Sequence, residues 1–368
     1  MSFFTFPRQI YFQRDIIDSL SDIVCYSKYL LVVTDSNIKK IHGERIKKSL
    51  SGINYKIFSD VLPEPSIESI ENAFLNYKNE VPDTIIAIGG GSVMDFAKSM
   101  AIKFSYPDLD LRNLNPFEKI KIKLNLIAIP TTSGTGSDVS FGIVLTDGNR
   151  KLALGNYGLV PMISILDSSL TPVNKNIIRI TGVDAFVHAF EALSANTSNI
   201  FTDALAEKSI ETIYNNLKLA MENDDSAKDL VHLSATMAGL AFSNSGTALT
   251  HALGHSFGAT FHVVHGISVG IFLPYVIDFN SQDENTNAKY KKIGKILGFK
   301  NLVNGIKKFY QDIGQPYFVK QLNIEKEYYL SKIDEAVEKA MMDSELAFNP
   351  VIAGEEDIKR IYLKAYGD

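Results

Sequence analysis

Asp83-Thr-Ile-Ile-Ala-Ile88-Gly89-Gly90-Gly91-Ser92 sets an apolar, β-branched run directly before three glycines, with an amphipathic stretch following from Val93. The run reads as a buried strand and the stretch after it as a helix. The glycines between them let the backbone approach a ligand closely, and the first amides of the helix are free donors at the positive end of its dipole. That combination suits a diphosphate. Three consecutive glycines depart from G-x-G-x-x-G, and no lysine stands where a P-loop requires one, so neither standard nucleotide fingerprint applies. A plain tight turn between strand and helix is the other reading of these residues.

The same grammar extends on both sides. Residues 29–34, 54–58, 83–88 and 124–129 read as strands, and 37–50, 67–77 and 93–102 as helices, which predicts a parallel sheet covered by helices. Short strands follow at 139–146, 152–154 and 162–166, with Asp147-Gly148 as a turn signal. Beyond Pro172 the composition shifts to Ala, Leu, Lys, Glu and Asn with helical periodicity, predicting at least seven helices over 175–366. The boundary falls near 168–176, giving an α/β dinucleotide-binding domain at 1–172 and an all-α metal-binding and substrate domain at 173–368. Residues 281–287 are expected to form the loosest loop.

Bulk properties narrow the class. A chain of 368 residues suits two domains, and 45% hydrophobic residues with a net charge of −5 describe a soluble globular protein without an electrostatic case for nucleic acid. The longest apolar run, 267–279, is broken by Gly270, Pro274 and Asp278 and is too short to span a bilayer. The first ten residues lack the pattern of a secretory signal, and the single cysteine, Cys25, cannot form an internal disulfide. A cytoplasmic protein with no membrane partner is expected.

A second small-residue loop follows the next strand: Pro130-Thr131-Thr132-Ser133-Gly134-Thr135-Gly136-Ser137-Asp138. Its hydroxyls can donate to phosphate, ribose or a carboxamide, and in open α/β sheets ligands bind at the carboxyl ends of strands. Asp35 ends the first long strand, where it can accept from a ribose 2′-hydroxyl and repel a 2′-phosphate, favouring NAD(H) over NADP(H). Capping the helix that follows is its alternative role.

The helical half carries the chemistry. Four of the seven histidines, His251, His255, His262 and His265, fall within one short stretch. His251 and His255 share a helical face, and Gly258 with the β-branched residues after it predicts that this helix ends before His265, which would reach back from a turn. The zincin pattern needs a glutamate after the first histidine, and Ala252 stands there. In Gly182-Val-Asp184-Ala-Phe-Val-His188-Ala-Phe-Glu191, Asp184 and His188 also share a helical face. Asp184, His188, His251 and His265 together make a three-histidine, one-carboxylate set that suits Fe²⁺ or Zn²⁺ and leaves room for substrate. For Asp184 alone, a helix N-terminal carboxylate is the other reading.

These four segments resemble the iron-dependent alcohol dehydrogenase family, which includes lactaldehyde reductases and butanol dehydrogenases. Gly89 to Lys98 looks like its GGGSxxDxAK motif, Pro130 to Asp138 like PTTxGTGSE with aspartate last, Gly182 to Glu191 like GxDAxxHAxE, and His251 to Pro274 like its histidine signature. The resemblance runs over 7–358. It implies the dehydroquinate synthase-like fold, an N-terminal α/β dinucleotide domain with a parallel sheet and a C-terminal helical metal domain. It implies metal ligation by Asp184, His188, His251 and His265, and a place for His255 beside the metal as the proton-carrying residue. It also puts dinucleotide contacts at Asp35, Gly90, Gly91, Ser92, Thr131, Thr132, Thr135, Lys151 and Leu170. The implied activity is reversible hydride transfer between NAD(H) and a small alcohol or aldehyde, in a homo-oligomer, with a dimer the simplest form. A phosphonate- or phosphate-bearing aldehyde, a glycerol dehydrogenase-like zinc enzyme and a non-catalytic NADH and metal sensor are the alternatives. Two departures stand out. Phe12-Gln-Arg-Asp15 replaces the relatives' Phe-Gly-x-Gly turn, and Glu345 precedes Asn349-Pro350 where relatives often carry cysteine.

Overall fold

The computed structural model describes residues 4–116, 118–148 and 150–367. The chain divides into two compact units, Met1–Pro172 and Val173–Asp368.

The first unit contains β1 (Gln9–Phe12), β2 (Leu30–Val33), β3 (Tyr55–Phe58), β4 (Thr84–Gly89), β5 (Asn125–Pro130), β6 (Gly142–Asp147), β7 (Arg150–Gly155) and β8 (Ile163–Leu166). Its longer helices are α2 (Ser36–Ser49), α3 (Ile67–Tyr77) and α4 (Gly91–Ser105), preceded by the single turn α1 (Leu20–Ile23). Six strands form an all-parallel sheet in the order β1-β8-β5-β4-β2-β3, and β6 and β7 form a separate antiparallel hairpin. Strands β2 and β4 are buried along their whole length, which is why they read as unbroken apolar runs. Alternate side chains serve opposite faces. Leu31, Val33, Ile85 and Ala87 pack with Phe96 and Met100 of α4, while Leu30, Val32, Ile86 and Ile88 pack with Ile17, Leu20 and Ile46.

Helix α4 begins at Gly91, two residues before the start read from the sequence, because Gly90 takes the extended N-cap position. Strand β1 was not anticipated. It is a four-residue edge strand paired with β8, and the turn Phe12-Gln-Arg-Asp15 begins at its last residue. Asp15 adopts φ 65°, a conformation that favours glycine. Here the strain is held by neighbours: Asp15 N donates to Asp167 Oδ1 at 2.9 Å, and Arg45 pairs with Asp15 and Asp18, each at 2.7 Å.

The second unit is helical: α5 (Lys175–Ser194), α6 (Ile200–Met221), α7 (Asp225–Ser245), α8 (Leu249–Phe261), α9 (His265–Asn280), α10 (Glu284–Ile296), α11 (Leu302–Ile313), α12 (Lys326–Met341) and α13 (Glu355–Tyr366). Helix α5 is buried from Gly182 to Ser194 on every side, consistent with a helix at the centre of a bundle. Glycines let the helices around it approach closely. A Cβ on Gly254 of α8 would stand 2.5 Å from Val269 Cγ1 of α9, and one on Gly266 would strike the carbonyl of Ile180 in α5. Helix α8 runs through Gly258 and ends at Phe261, before His265, as its sequence predicts. Two expectations are corrected. His265 opens α9 instead of reaching back from a turn. Most of 281–287 is not a loop, since Asp283 accepts from Thr286 N at 2.7 Å and caps α10. Among the described residues no helix is long and apolar enough to cross a membrane.

Candidate metal centre and dinucleotide cradle

Three helices of the second unit bring the ionisable cluster together. Asp184, His188 and Glu191 lie along α5, His251 and His255 on α8, and His265 opens α9. Ligand atoms of Asp184, His188 and His251 all lie within 4.8 Å of one another. Asp184 Oδ1 is the hub: it lies 3.8 Å from His188 Nδ1, 3.8 Å from His251 Nε2 and 3.2 Å from His265 Nε2. His188 is locked between rings, stacked 4.4 Å from Phe242 and 4.5 Å from His251. His255 is adjacent, its ring centroid 5.6 Å from that of His251 and 5.2 Å from that of His265. His262, by contrast, is an exposed C-cap residue of α8 in the left-handed conformation.

The fit to a divalent ion is good on two counts. Asp184 Oδ1, His188 Nδ1 and His251 Nε2 are all buried without a hydrogen-bond partner, an arrangement that is costly unless something else satisfies them. Ligand atoms about 2.1 Å from one ion stand roughly 3.0–3.4 Å apart in octahedral or tetrahedral arrangement, close to the observed spacing.

The electrostatics agree. Burial alone would raise Asp184, but the neighbouring rings of His188, His265 and His251 hold its carboxyl well below the usual range. Burial and the neighbouring histidines push His188 down to about 3 despite Asp184, so it is a neutral donor at pH 7. His251 goes the other way: burial opposes its charge, yet Glu191 raises it well above an ordinary imidazole. The proton favoured there is what a divalent cation would displace.

Glu191 closes the motif on α5, and its spacing alone does not reveal what it does. Its carboxylate accepts from His251 Nδ1, from Thr250 N and, at 3.2 Å, from His251 N. It therefore fixes the tautomer of His251 and caps the start of α8, whose own N-cap residue Ala248 makes no side-chain bond. Asp343 and Glu345 are likewise not marked by any motif: Asp343 Oδ2 stands 3.0 Å from His255 Nδ1 and Glu345 Oε2 3.9 Å from it.

The glycine-rich elements meet in the first unit. The parallel pairing of β4 with β5 sets Gly89 opposite Pro130, so the two small-residue loops leave the same carboxyl end of the sheet, from adjacent strands. A Cβ on Gly90 would lie 3.5 Å from Thr132 Cγ2, and one on Gly91 would lie 3.0 Å from Thr135 Cγ2. Thr131 is buried beneath them and donates its amide to Gly89 O at 2.9 Å. Asp95 and Lys98 of the glycine motif tie the loops from behind: Lys98 Nζ donates to Ser137 Oγ at 2.9 Å, and Ser137 Oγ to Asp95 Oδ1 at 3.1 Å. Ser92 Oγ accepts from Glu64 N at 3.3 Å, and Lys151 pairs with Glu64 at 2.5 Å. Asp35 follows β2, the neighbour of β4, at the point where the strand order reverses, and it caps α2 by accepting from Asn37 N at 2.8 Å. Leu170 lies apart from this group, packed with Ile17 and Leu30 under the opposite face of the sheet.

Comparison with known proteins covers both units. Residues 7–168 match the profile of iron-containing alcohol dehydrogenases, and residues 178–366 match that of the C-terminal part of the Fe-containing alcohol dehydrogenase family. An alcohol dehydrogenase of Thermococcus barophilus is 34% identical, with 100% of each chain aligned. The NADPH-dependent butanol dehydrogenase of Clostridium saccharobutylicum is 32% identical over 99% of this chain and 97% of its own. The iron-containing alcohol dehydrogenase of Thermococcus thioreducens superposes with a TM-score of 0.93 at 33% identity, covering 100% of both chains. That of Thermotoga maritima gives 0.87 at 30% identity, again over 100% of both.

Proposed function

The chain belongs to the iron-containing alcohol dehydrogenase family, and from that premise we propose that it transfers a hydride reversibly between NAD(H) and the carbonyl carbon of a small aldehyde. Asp184, His188, His251 and His265 would hold the divalent ion, iron by family and zinc by the chemistry of the same donors. The observation that carries this reading is the convergence of buried, unpartnered donor atoms from Asp184, His188 and His251.

When bound, the ion supplies Lewis acidity toward a carbonyl oxygen and the nicotinamide carries the hydride. The protein's own residues do the rest. Asp184 brings negative charge to the donor set, and Glu191 keeps the proton of His251 on Nδ1 so that Nε2 is free to donate its lone pair. His255 gives or takes the proton of the alcohol oxygen, a step suited to an imidazole near neutral pH. Gly90 and Gly91 expose the first amides of α4 to a diphosphate, while Ser92, Thr131, Thr132 and Thr135 offer hydroxyls and amides around it and Lys151 a positive charge. Leu170 is a contact by resemblance only. Asp35 at the end of β2 favours NAD(H) by repelling a 2′-phosphate. A homodimer in the cytoplasm completes the proposal, supported by the prevalence of symmetric dimers and the lone exposed Cys25.

The test is metal analysis together with NADH oxidation by a panel of short aldehydes. Firm NADH binding without turnover of any aldehyde would favour a sensor instead. His255→Ala should slow turnover while the metal stays bound, and loss of metal from that variant would refute the role given to His255.

A further inference from the structure

His255 does not stand alone on α8. Asp343 precedes the 3₁₀ turn Ser344–Phe348, and its two carboxylate oxygens have separate duties. Oδ1 accepts from Glu345 N at 2.9 Å and caps that turn, while Oδ2 lies 3.0 Å from His255 Nδ1. Glu345 adds a second carboxylate oxygen 3.9 Å from the same ring nitrogen, and that oxygen is buried with no hydrogen-bond partner. A bare Nδ1 facing two carboxylates would set lone pair against lone pair, so the proton belongs on Nδ1.

We infer that Asp343 is the positioning residue for proton transfer: it fixes the ring of His255 as the tautomer that donates from Nδ1, leaving Nε2 as the working nitrogen. The inference rests on the hydride-transfer reading, in which His255 carries the proton. The ring is only half-buried, with 34% of its side chain exposed, so packing alone does not set its orientation. Asp343 is 18% exposed and comes from a segment 88 residues away in the chain, so the bond fixes the ring from outside α8. Glu345 reinforces the choice of tautomer through its charge.

The two oxygens of Asp343 allow a substitution to be designed against one duty at a time. In Asp343→Asn the amide oxygen is claimed by Glu345 N, so the amide NH₂ faces Nδ1, where it can only donate. That forces the proton of His255 onto Nε2. Asp343→Ser keeps a cap for the turn, because serine is a good N-cap residue, but its side chain is too short to reach the ring.

The experiment is a double-mutant cycle of Asp343→Asn with His255→Ala, alongside Asp343→Ser, in the metal-loaded protein. Turnover of a short aldehyde, metal content and NADH affinity are measured for each. Asp343→Asn should lower kcat roughly ten- to hundredfold with KM, metal content and NADH affinity unchanged, and should cost nothing further once His255 is alanine. Asp343→Ser, with its cap intact, should match Asp343→Asn, and it replaces Asp343→Asn in the cycle if that variant does not fold. An equal loss of kcat in both His255 backgrounds, loss of metal or NADH binding, or a serine variant as active as wild type would overturn the inference. A readout independent of turnover is ¹⁵N NMR of the histidine rings in the zinc-loaded protein. His255 should be protonated at Nδ1 in the wild type and at Nε2 in Asp343→Asn. Wild type protonated at Nε2 refutes the positioning role, whereas wild type showing the Nδ1 tautomer but reducing no aldehyde refutes the hydride-transfer reading instead.

Discussion

Replacing Glu191 by glutamine should weaken metal binding without touching a proposed ligand. Three hydrogen bonds converge on the Glu191 carboxylate, two from the amides of Thr250 and His251 and one from His251 Nδ1. In the variant the amide oxygen stays with the two backbone donors at the start of α8, and the NH₂ is left facing Nδ1. His251 must then accept at Nδ1 and carry its proton on Nε2, the atom that faces Asp184 across 3.8 Å. To bind an ion, Nε2 must lose that proton, so the new bond breaks and a buried donor is left unpaired, at a cost of about 2 kcal/mol. That corresponds to roughly a thirtyfold loss of affinity, within the range known for partners that orient metal ligands. The assay is competition with a chromophoric chelator, followed by metal analysis of the dialysed protein, with circular dichroism to check the helices. Affinity within about threefold of wild type, in a folded variant, would refute the tautomer argument.

Other outcomes follow from the same geometry. His188 is a buried neutral ring whose folded value, about 3, lies below the ordinary 6.5. Its contribution to stability is therefore present above about pH 6.5 and lost as pH falls toward 3, amounting to about 2 kcal/mol by pH 5. Denaturation of chelator-treated protein at pH 7 and pH 5 should show this loss in wild type and not in His188→Gln; equal pH dependence would refute it. Gly91→Val should push against Thr135, which already lies 3.0 Å from a Cβ built there, and lower NADH affinity at least tenfold by fluorescence titration, with metal content unchanged. Asp35→Ser keeps a cap for α2 but removes the charge, so the preference for NADH over NADPH in kcat/KM should narrow severalfold.

The interior of the sheet was legible because β2 and β4 are buried on both faces and their residues follow one another without polar interruption. Strand β1 was not, since its four residues alternate only weakly and its partner, β8, arrives some 150 residues later in the chain. The start of α10 was misjudged because a polar run looked like a loop. The Ser281-Gln-Asp-Glu-Asn run holds a cap, Asp283, followed by the first turn of α10. At the cluster, same-face spacing predicted the pairs Asp184 with His188 and His251 with His255. The partners that orient the rings were invisible because Glu191 acts across helices and Asp343 acts from a distant turn. Asp95 and Lys98 stand in a recognisable motif, yet their work is to brace two loops from beneath.

The glycines of the helical unit have a consequence for anyone redesigning the centre. With no side chain at Gly254 or Gly266, α8 lies against α9 and α9 against α5 almost backbone to backbone, and the gap between the imidazoles of His251 and His265 inherits that spacing. A single added methyl at Gly254 would act as a wedge, moving one donor away from the others while leaving every coordinating residue in the sequence. If the cluster holds an ion as proposed, its preference for ion size would depend partly on positions that never touch it, and a search confined to the ligands would overlook them.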